Sequence, residues 1–328
     1  MKADVTGGTE PDVFYLDSSL MTAFAPNGVL LSLDDALRTA GASTDDYIGD
    51  LVKLYQLNGK TYALPKDQGA LALFVNDEMA QKAGVDAKSL TTWDDVTAAA
   101  QKMIAGEGPG KTFGMCVNPD IQRIGAFILQ TGNPILDNGE ATFNQDSGVK
   151  AFQWYYDFLK NKTGEVPKNM GADWCGDAFS KKKVAMVYEG GWMLPFMDQQ
   201  APDVKYTVVP NPLPQGGQQS TLVFTNGWAA SARTKYPNAA TALVLFLTSA
   251  ANQKPILQSG FALPTVKVLA EAASYGQVAD LVFGGPAKKE DVIKILKDQA
   301  VDPIFTIGAD IKTSLDTAAQ AVDQTLSQ

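Results

Sequence analysis

The sequence predicts an α/β protein built from two lobes. Its 328 residues, 45% of them hydrophobic, are enough for two domains that each bury a core. Short apolar runs that suit buried strands alternate with segments of helical pattern. Two such runs, Tyr62 to Leu64 and Ala70 to Val75, are separated by only a few polar residues. If they belong to different sheets, the chain crosses between lobes at Lys66 to Gly69, and a ligand is expected there.

The amino-acid composition disfavours several classes of function for this chain. A formal charge of -9 disfavours nucleic acid as a partner, because phosphate binding needs a basic surface. The chain has no histidine, which removes Ser-His-Asp and Cys-His arrangements and zinc sites built on imidazole. Any catalysis would rest on carboxylates, Lys, Tyr or Ser. No apolar run approaches the roughly 20 residues of a membrane span, and neither a metal nor a cofactor is expected.

The first expected strand is Val13 to Leu16, which follows turn residues and has the apolar composition of a buried strand. Asp17 and Ser18 stand at its carboxyl end, and open α/β sheets bind ligands at that edge. Asp17 also suits the N-cap of a helix over Leu20 to Phe24. Capping and ligand binding therefore remain alternatives for Asp17.

The predicted crossing leads into a helical region. Asp67 and Gln68 lie at the crossing and are candidates for contact with a ligand. Thr92 is expected to cap a helix that continues through Val96 to Ala105. A turn into a helix is expected over Leu30 to Leu37, and further helices are expected over Asp45 to Tyr55 and Asp77 to Ala83.

Polar residues follow a strand of the predicted second lobe. Asp120 and Arg123 come after Phe113 to Val117, and Arg123 is either a bidentate ligand clamp or half of a surface ion pair. The helix Phe152 to Leu159 is rich in aromatic residues, so Trp154 is expected in the core rather than at a ligand.

A glycine pair follows a second strand of this lobe, Val184 to Tyr188. Glu189 comes first, then two glycines, the second of which, Gly191, adjoins Trp192. Two glycines at the carboxyl end of a strand let a backbone approach another group closely. Trp192 is therefore expected at the rim of a binding site.

The chain has two cysteines, Cys116 and Cys175, which form no Cys-x-x-Cys motif and lie too far apart in sequence for a metal knuckle. A disulfide between them would add roughly 4 kcal/mol of stability in the chain-entropy model. Two buried free cysteines are the other alternative.

A second crossing is expected where Leu222 to Phe224 runs into Asn226, Gly227 and Trp228. A tryptophan adjoins a glycine there, as Trp192 adjoins Gly191 in the other lobe. The remaining chain is expected to be mainly helical, with helices over Pro237 to Ser249 and from about Ala309 to Leu326.

Several short motifs occur in a fixed order along the chain. They are Gly8-Thr9-x-Pro11-Asp12-Val13, Gly59-Lys60-x-Tyr62-Ala63-Leu64-Pro65, Val75-Asn76-Asp77 with Ala83-Gly84, Thr92-Trp93-Asp94, and Asp177-Ala178-Phe179 with Lys183-Val184-Ala185-Met186 and Gly190-x-Trp192. In this order they strongly resemble the carbohydrate-binding extracellular solute-binding proteins of ABC importers, the maltose-binding-protein-like group. Each motif is weak alone, but the resemblance covers nearly the whole chain.

The resemblance implies the type II periplasmic-binding-protein fold, in which each lobe is a mixed or parallel sheet flanked by helices. Family members begin with an export signal and a strand-helix-strand unit ahead of the first motif, whereas this sequence starts almost at the motif, so the first lobe is expected to be N-terminally incomplete. The implied bounds are residues 1–66 and 225–272 for the first lobe, 70–222 and 273–328 for the second, and hinges near 66–69, 222–227 and about 272.

The implied function is that of the substrate-binding component of a carbohydrate ABC importer, not an enzyme. A mono- or oligosaccharide would bind in the interlobe cleft, the lobes would close like a Venus flytrap, and a membrane permease would receive the sugar. Such a receptor is periplasmic or extracellular, with a lipoprotein anchor as one option, and is expected to be a monomer unless another chain supplies the N-terminal unit. The alternatives are a carboxylate-dependent glycoside-processing enzyme and a same-fold receptor for a polyol or other small polar solute.

The residues expected to bind the ligand combine aromatic faces, which stack on sugar rings, with carboxylate, amide and guanidinium groups, which bond hydroxyls. Several of them are carried over from the resemblance, above all Asp67 and Trp192. The full set is Asp17, Ser18, Asp67, Gln68, Asp120, Arg123, Trp174, Glu189, Gly191, Trp192, Asn226, Gly227 and Trp228.

Overall fold

The computed structural model describes residues 2–258, 262–267, 276–278, 282, 283, 285 and 287–328. The chain divides into two compact units. The first unit holds residues 1–69, 223–274 and 278–290, and the second holds residues 70–222, 275–277 and 291–328. The sequence predicts residues 273–328 in the second lobe, but residues 287–290 group with the first unit, where Lys289 Nζ lies 3.9 Å from Asp17 Oδ1. The third predicted crossing, near residue 272, lies outside the described residues.

The strands are short. They are β1 (Val13–Leu16), β2 (Gln56–Leu57), β3 (Lys60–Thr61), β4 (Ala63–Pro65), β5 (Gly69–Ala70), β6 (Ala72–Asn76), β7 (Phe113–Cys116), β8 (Leu136–Asp137), β9 (Glu140–Ala141), β10 (Gly164–Glu165), β11 (Val184–Glu189), β12 (Tyr206–Val209), β13 (Thr221–Phe224), β14 (Gly227–Ala230) and β15 (Gly276–Val278).

Helices separate most of these strands. They are α1 (Lys2–Gly7), α2 (Met21–Phe24), α3 (Asp34–Ala40), α4 (Gly49–Lys53), α5 (Asp77–Lys82), α6 (Trp93–Lys102), α7 (Ile121–Gln130), α8 (Asp146–Lys160), α9 (Cys175–Ser180), α10 (Met193–Gln200), α11 (Pro237–Thr248), α12 (Ala250–Gln258), α13 (Lys289–Leu296), α14 (Asp302–Ile307) and α15 (Ile311–Leu326). In the part of the chain that the structure describes, no helix combines the length and the apolar character needed to cross a bilayer.

In the first unit, β1, β14 and β4 pair antiparallel in that order. A mixed or parallel sheet was expected for this lobe, but β14 runs opposite to both of its neighbours. The strand β1 alternates, with Phe14 and Leu16 buried and Tyr15 54% exposed, so it is not buried on both faces as its composition suggested. Leu33 and Val244, from the helical side, belong to a core cluster with Leu64 and Ala230, on the face of the sheet opposite Phe14 and Leu16.

The second unit contains a mixed sheet in the order β10, β7, β11, β6, β12. Strand β7 is parallel to β10 and β11, and β6 is antiparallel to β11 and β12. Every residue of β11 is buried. Because β7 and β11 are parallel, their carboxyl ends lie at the same edge of the sheet, and the polar residues that follow each strand are brought to one place.

Local sequence signals are realised at several element ends. Thr92 forms a capping box at the start of α6, since its side chain accepts from the backbone N–H of Asp95 while the Asp95 carboxylate accepts from that of Thr92. The apolar run Ala70 to Val75, expected as one strand, is divided by Leu71 into β5 and β6. The division leaves Leu71 buried and bonded to the backbone of Leu222.

A disulfide joins Cys116 to Cys175, so the paired alternative is the one observed. The bond connects the last residue of β7 to the first residue of α9, and both cysteines are buried in the core of the second unit. The two Cα atoms lie 5.7 Å apart.

Candidate functional site

Glu189 is the centre of a buried polar cluster in the second unit. It is the last residue of β11 and is fully buried. Its Oε2 atom accepts a hydrogen bond from Arg123 Nη2 at 3.0 Å and another from Trp192 Nε1 at 3.0 Å. One carboxylate oxygen therefore holds together three residues that the sequence predicted separately.

Arg123 extends this cluster toward the start of α7. Its Nη1 atom donates to Asp120 Oδ2 at 2.8 Å, and Asp120 Oδ1 accepts from the backbone N–H of Gln122 as the N-cap of the helix. The Arg123 side chain is only 16% exposed. The interpretation of Arg123 as half of a surface ion pair is therefore wrong, because it bridges two carboxylates in a largely buried position.

Burial and neighbouring charges shift the pKa values of the residues in this cluster in opposite directions. Burial raises the pKa of Glu189, although the Arg123 guanidinium and the Trp192 indole N–H counteract it. Burial lowers the pKa of Arg123, but the carboxylates of Glu189 and Asp120 outweigh that effect and the pKa is raised. The second carboxylate oxygen of Glu189, Oε1, and the Nε atom of Arg123 are both buried and have no hydrogen-bond partner among the described residues.

Trp192 lies directly before α10, and its ring covers the backbone of Gly190. A Cβ atom at Gly190 would lie 2.3 Å from the ring, so Gly190 is the glycine that the close approach requires. A Cβ at Gly191 would meet nothing within 4 Å. The Arg123 guanidinium carbon lies 5.6 Å from the centroid of the Trp192 ring, within the range of a cation–π contact.

Trp174 lies directly before α9, next to the disulfide. Its ring packs edge-on against Phe196, with 4.8 Å between centroids, and covers Gly176, where a Cβ would lie 2.2 Å away. Like Trp192, it is partly exposed. The second unit thus presents two tryptophans that are each supported by a glycine backbone.

The candidates at the start of the first unit combine a cap with an unpaired hydroxyl. Asp17 Oδ1 accepts from the N–H of Ser19 at 2.9 Å and from its hydroxyl at 2.7 Å, as the N-cap of a 3-10 helix over Ser18–Leu20. Capping, one of the two alternatives for Asp17, is therefore observed. Ser18 is buried, and its Oγ atom has no hydrogen-bond partner in the part of the chain that the structure describes.

The candidate residues near the two predicted crossings differ in whether their side chains bond to other residues. Asp67 forms a salt bridge with Lys66, and both side chains are 18% exposed. Gln68 is buried, and its Nε2 atom donates to the carbonyl of Pro264 at 2.8 Å. Asn226 is exposed, and its carbonyl accepts from the backbone N–H of Lys66 at 2.9 Å. The Gln68 side chain therefore holds the backbone at Pro264. The side chains of Asp67 and Asn226, in contrast, remain at least partly exposed to solvent.

An aromatic pair in the first unit includes one residue that the sequence reasoning missed. Tyr15 on β1 faces Trp228 on β14 in the strand register, with 4.1 Å between ring centroids, and Lys66 Nζ lies 5.0 Å from the Tyr15 centroid. The period of two along β1, with Phe14 inside, is the signal that would have identified Tyr15. Gly227 packs under Tyr55, where a Cβ would lie 2.9 Å from the ring.

Comparison with protein families and curated proteins gives consistent results. A family model described as bacterial extracellular solute-binding protein matches residues 1–281. The chain is 27% identical over 228 residues to the arabinooligosaccharide-binding protein of Bacillus subtilis, covering 66% of this chain and 51% of that protein. It is 23% identical to the galactooligosaccharide-binding protein of the same organism, over 98% of this chain and 78% of that protein. The chain spans about half the length of the first of these relatives.

Solved structures match almost the whole chain. An ABC substrate-binding protein, Lmo0181 from Listeria monocytogenes in complex with cycloalternan, has a TM-score of 0.84 at 19% identity, covering 99% of this chain and 87% of that one. The maltose/maltodextrin-binding domain MalE from Bdellovibrio bacteriovorus, bound to maltotriose, has a TM-score of 0.78 at 20% identity, covering 100% and 88%. These likenesses confirm the predicted periplasmic-binding-protein fold.

Proposed function

We infer, since this chain belongs to the family of bacterial extracellular solute-binding proteins, that it is the substrate-binding component of a carbohydrate ABC importer. In this role it binds a saccharide outside the cytoplasmic membrane and delivers it to a membrane permease. The names of its relatives favour an oligosaccharide, because they include receptors for arabino- and galacto-oligosaccharides. A periplasmic or extracellular location is part of the proposal.

The observation that carries this proposal is the fixed Trp192 ring. A pyranose offers an apolar C–H face, and a partly exposed indole with a locked orientation is suited to stack on it. Arg123 and Asp120 lie beside the ring and supply donors and acceptors for sugar hydroxyls. Trp174 is proposed as a second stacking surface in the same unit.

Residues of the first unit are proposed to complete the contacts. Asp67 and Asn226 offer polar side chains, Trp228 an aromatic face, and Ser18 a hydroxyl that bonds to none of the described residues. Gln68, Gly227 and the capping carboxylate of Asp17 contribute by holding the local backbone. Closure of the two lobes on the sugar remains a prediction, and small-angle scattering would test it as a decrease in radius of gyration when ligand is added.

We propose binding without turnover. The relatives are named as binding proteins, and each carboxylate of the candidate set is engaged: Asp17 in a cap, Asp67 with Lys66, and Asp120 and Glu189 with Arg123. A glycoside hydrolase needs one carboxylate positioned as a proton donor and a second as a base or nucleophile. Chromatography of oligosaccharides after long incubation separates the two hypotheses, because any cleavage products would favour the enzyme.

Titration with arabinotriose, galactotriose and maltotriose, followed by tryptophan fluorescence and calorimetry, tests the proposal. We expect saturable binding of at least one of them, and Trp192→Ala should weaken it by roughly tenfold, since a lost stacking contact is worth about 1.5 kcal/mol. Phe246→Ala is a matched control, because Phe246 is an exposed aromatic residue on α11, outside the candidate set. Unchanged affinity in the Trp192 variant, or an equal loss in the control, would contradict the assignment.

A further inference from the structure

We propose that Glu189 is the positioning residue of this site and sets its preference for neutral over anionic saccharides. This inference rests on the proposed function and adds the charge class of the ligand to it. Glu189 acts in two ways: it fixes the Trp192 ring through the indole N–H, and it occupies the Arg123 guanidinium that would otherwise attract an anion.

The positioning role follows from the geometry of one oxygen atom. Glu189 Oε2 accepts from both the Trp192 indole and Arg123, each at 3.0 Å, and the side chain is fully buried at the end of a strand that is itself buried throughout. A carboxylate on such a rigid element has little freedom to move. Its hydrogen bond with the indole N–H therefore holds the Trp192 ring in one orientation relative to β11.

The preference for neutral ligands follows from the charge count. The cluster contains two carboxylates, on Asp120 and Glu189, and one guanidinium, on Arg123, so its formal charge is one negative unit when both acids are ionised. In a buried setting this charge is poorly screened. A uronate or a sugar phosphate brought to the Trp192 ring would meet a net negative field, whereas a neutral sugar would only exchange hydrogen bonds.

Glu189→Gln separates charge from hydrogen bonding. The amide oxygen of glutamine still accepts from Arg123 and Trp192, but the negative charge is removed and the cluster becomes neutral. Glu140→Gln is the matched control, because Glu140 is an exposed carboxylate on β9 of the same unit.

The ring position can be tested without any ligand, by following the indole N–H signals of protein labelled with ¹⁵N-tryptophan. The titratable groups around Glu189 are Arg123 and Asp120 from α7 and Tyr155 from α8. We expect the Trp192 signal, assigned from its loss in Trp192→Phe, to move with pH in the wild type and in Glu140→Gln, and to move much less in Glu189→Gln, where an amide replaces the carboxylate that it bonds. The Trp93 and Trp154 indoles, which donate to Gln130 and Thr97, serve as internal references that stay fixed.

The ligand preference is tested with galactose and galacturonate, which differ only in the carboxylate at C6. We expect the wild type to favour galactose and Glu189→Gln to reduce the ratio of the two affinities by about tenfold, as one removed charge near the ligand predicts. A Trp192 signal that titrates equally in wild type and Glu189→Gln, or an unchanged affinity ratio, would overturn the inference. If neither sugar binds, the proposed function is in question, and the indole signals alone decide the role of Glu189.

Discussion

Removing the disulfide between Cys116 and Cys175 should lower the free energy of unfolding of the second unit. The bond closes a loop with a sequence separation of 59 residues. In the chain-entropy model, cross-linking a loop of that length removes enough freedom from the unfolded chain to stabilise the folded state by about 4 kcal/mol at 25 °C. Both cysteines are buried, so the double variant Cys116→Ala, Cys175→Ala avoids placing new hydroxyl groups in the core.

Guanidinium unfolding followed by tryptophan fluorescence measures this loss. Four of the five tryptophans, at positions 93, 154, 174 and 192, belong to the second unit, so the signal reports mainly on that part of the chain. The wild type in the presence of a reductant should approach the double variant once it has been unfolded and refolded. The double variant itself should not respond to reductant.

The size of the effect decides whether the reasoning is right. A decrease in the free energy of unfolding between about 2 and 5 kcal/mol agrees with the removal of a native disulfide. A decrease below about 1 kcal/mol would mean that the unfolded state is already compact around this loop, and the chain-entropy argument would fail here.

Two further changes test other parts of the fold. Gly227→Ala places a Cβ 2.9 Å from the Tyr55 ring and should lower the free energy of unfolding by about 1–3 kcal/mol, seen as a lower thermal midpoint; an unchanged midpoint would contradict this close packing. Hydrogen bonds from Lys182 and Lys82 lower the pKa of Glu78 from 4.5 to about 2, so its contribution to stability is present above pH 4.5 and is lost as the pH falls toward 2. Glu78→Gln should therefore flatten the acid side of the thermal midpoint against pH, and an identical profile would refute the ion pair.

The features that were predictable from sequence are those fixed by neighbours in the chain. The cap at Thr92 depends on residues three positions apart, and the strand Val13–Leu16 on a short apolar run after turn residues. The Gly-x-Trp motif at Trp192 is likewise local, and its glycine does lie under the ring. Features whose geometry is determined by a few adjacent residues can therefore be predicted from the sequence.

The features that could not be predicted from sequence depend on contacts between distant segments. Glu189 and Arg123 are 66 residues apart, and their meeting requires β7 and β11 to be parallel neighbours. The exposure of Tyr15 depends on how far along its face of the β1 and β14 pair the helical packing extends. The pairing of Cys116 with Cys175 was left open for the same reason, because a sequence separation does not fix a distance.

The energetic cost of the Glu189 cluster favours a functional explanation for it. Burying a carboxylate is expensive, and replacing a buried ion pair with apolar residues is often neutral or stabilising. The fold nevertheless keeps Glu189 fully buried, with its pKa raised and one oxygen that has no partner among residues of known placement. Stability alone does not account for such an arrangement. The role proposed for Glu189, which is to hold one tryptophan in a fixed orientation and to limit the attraction of an arginine for anions, would account for it.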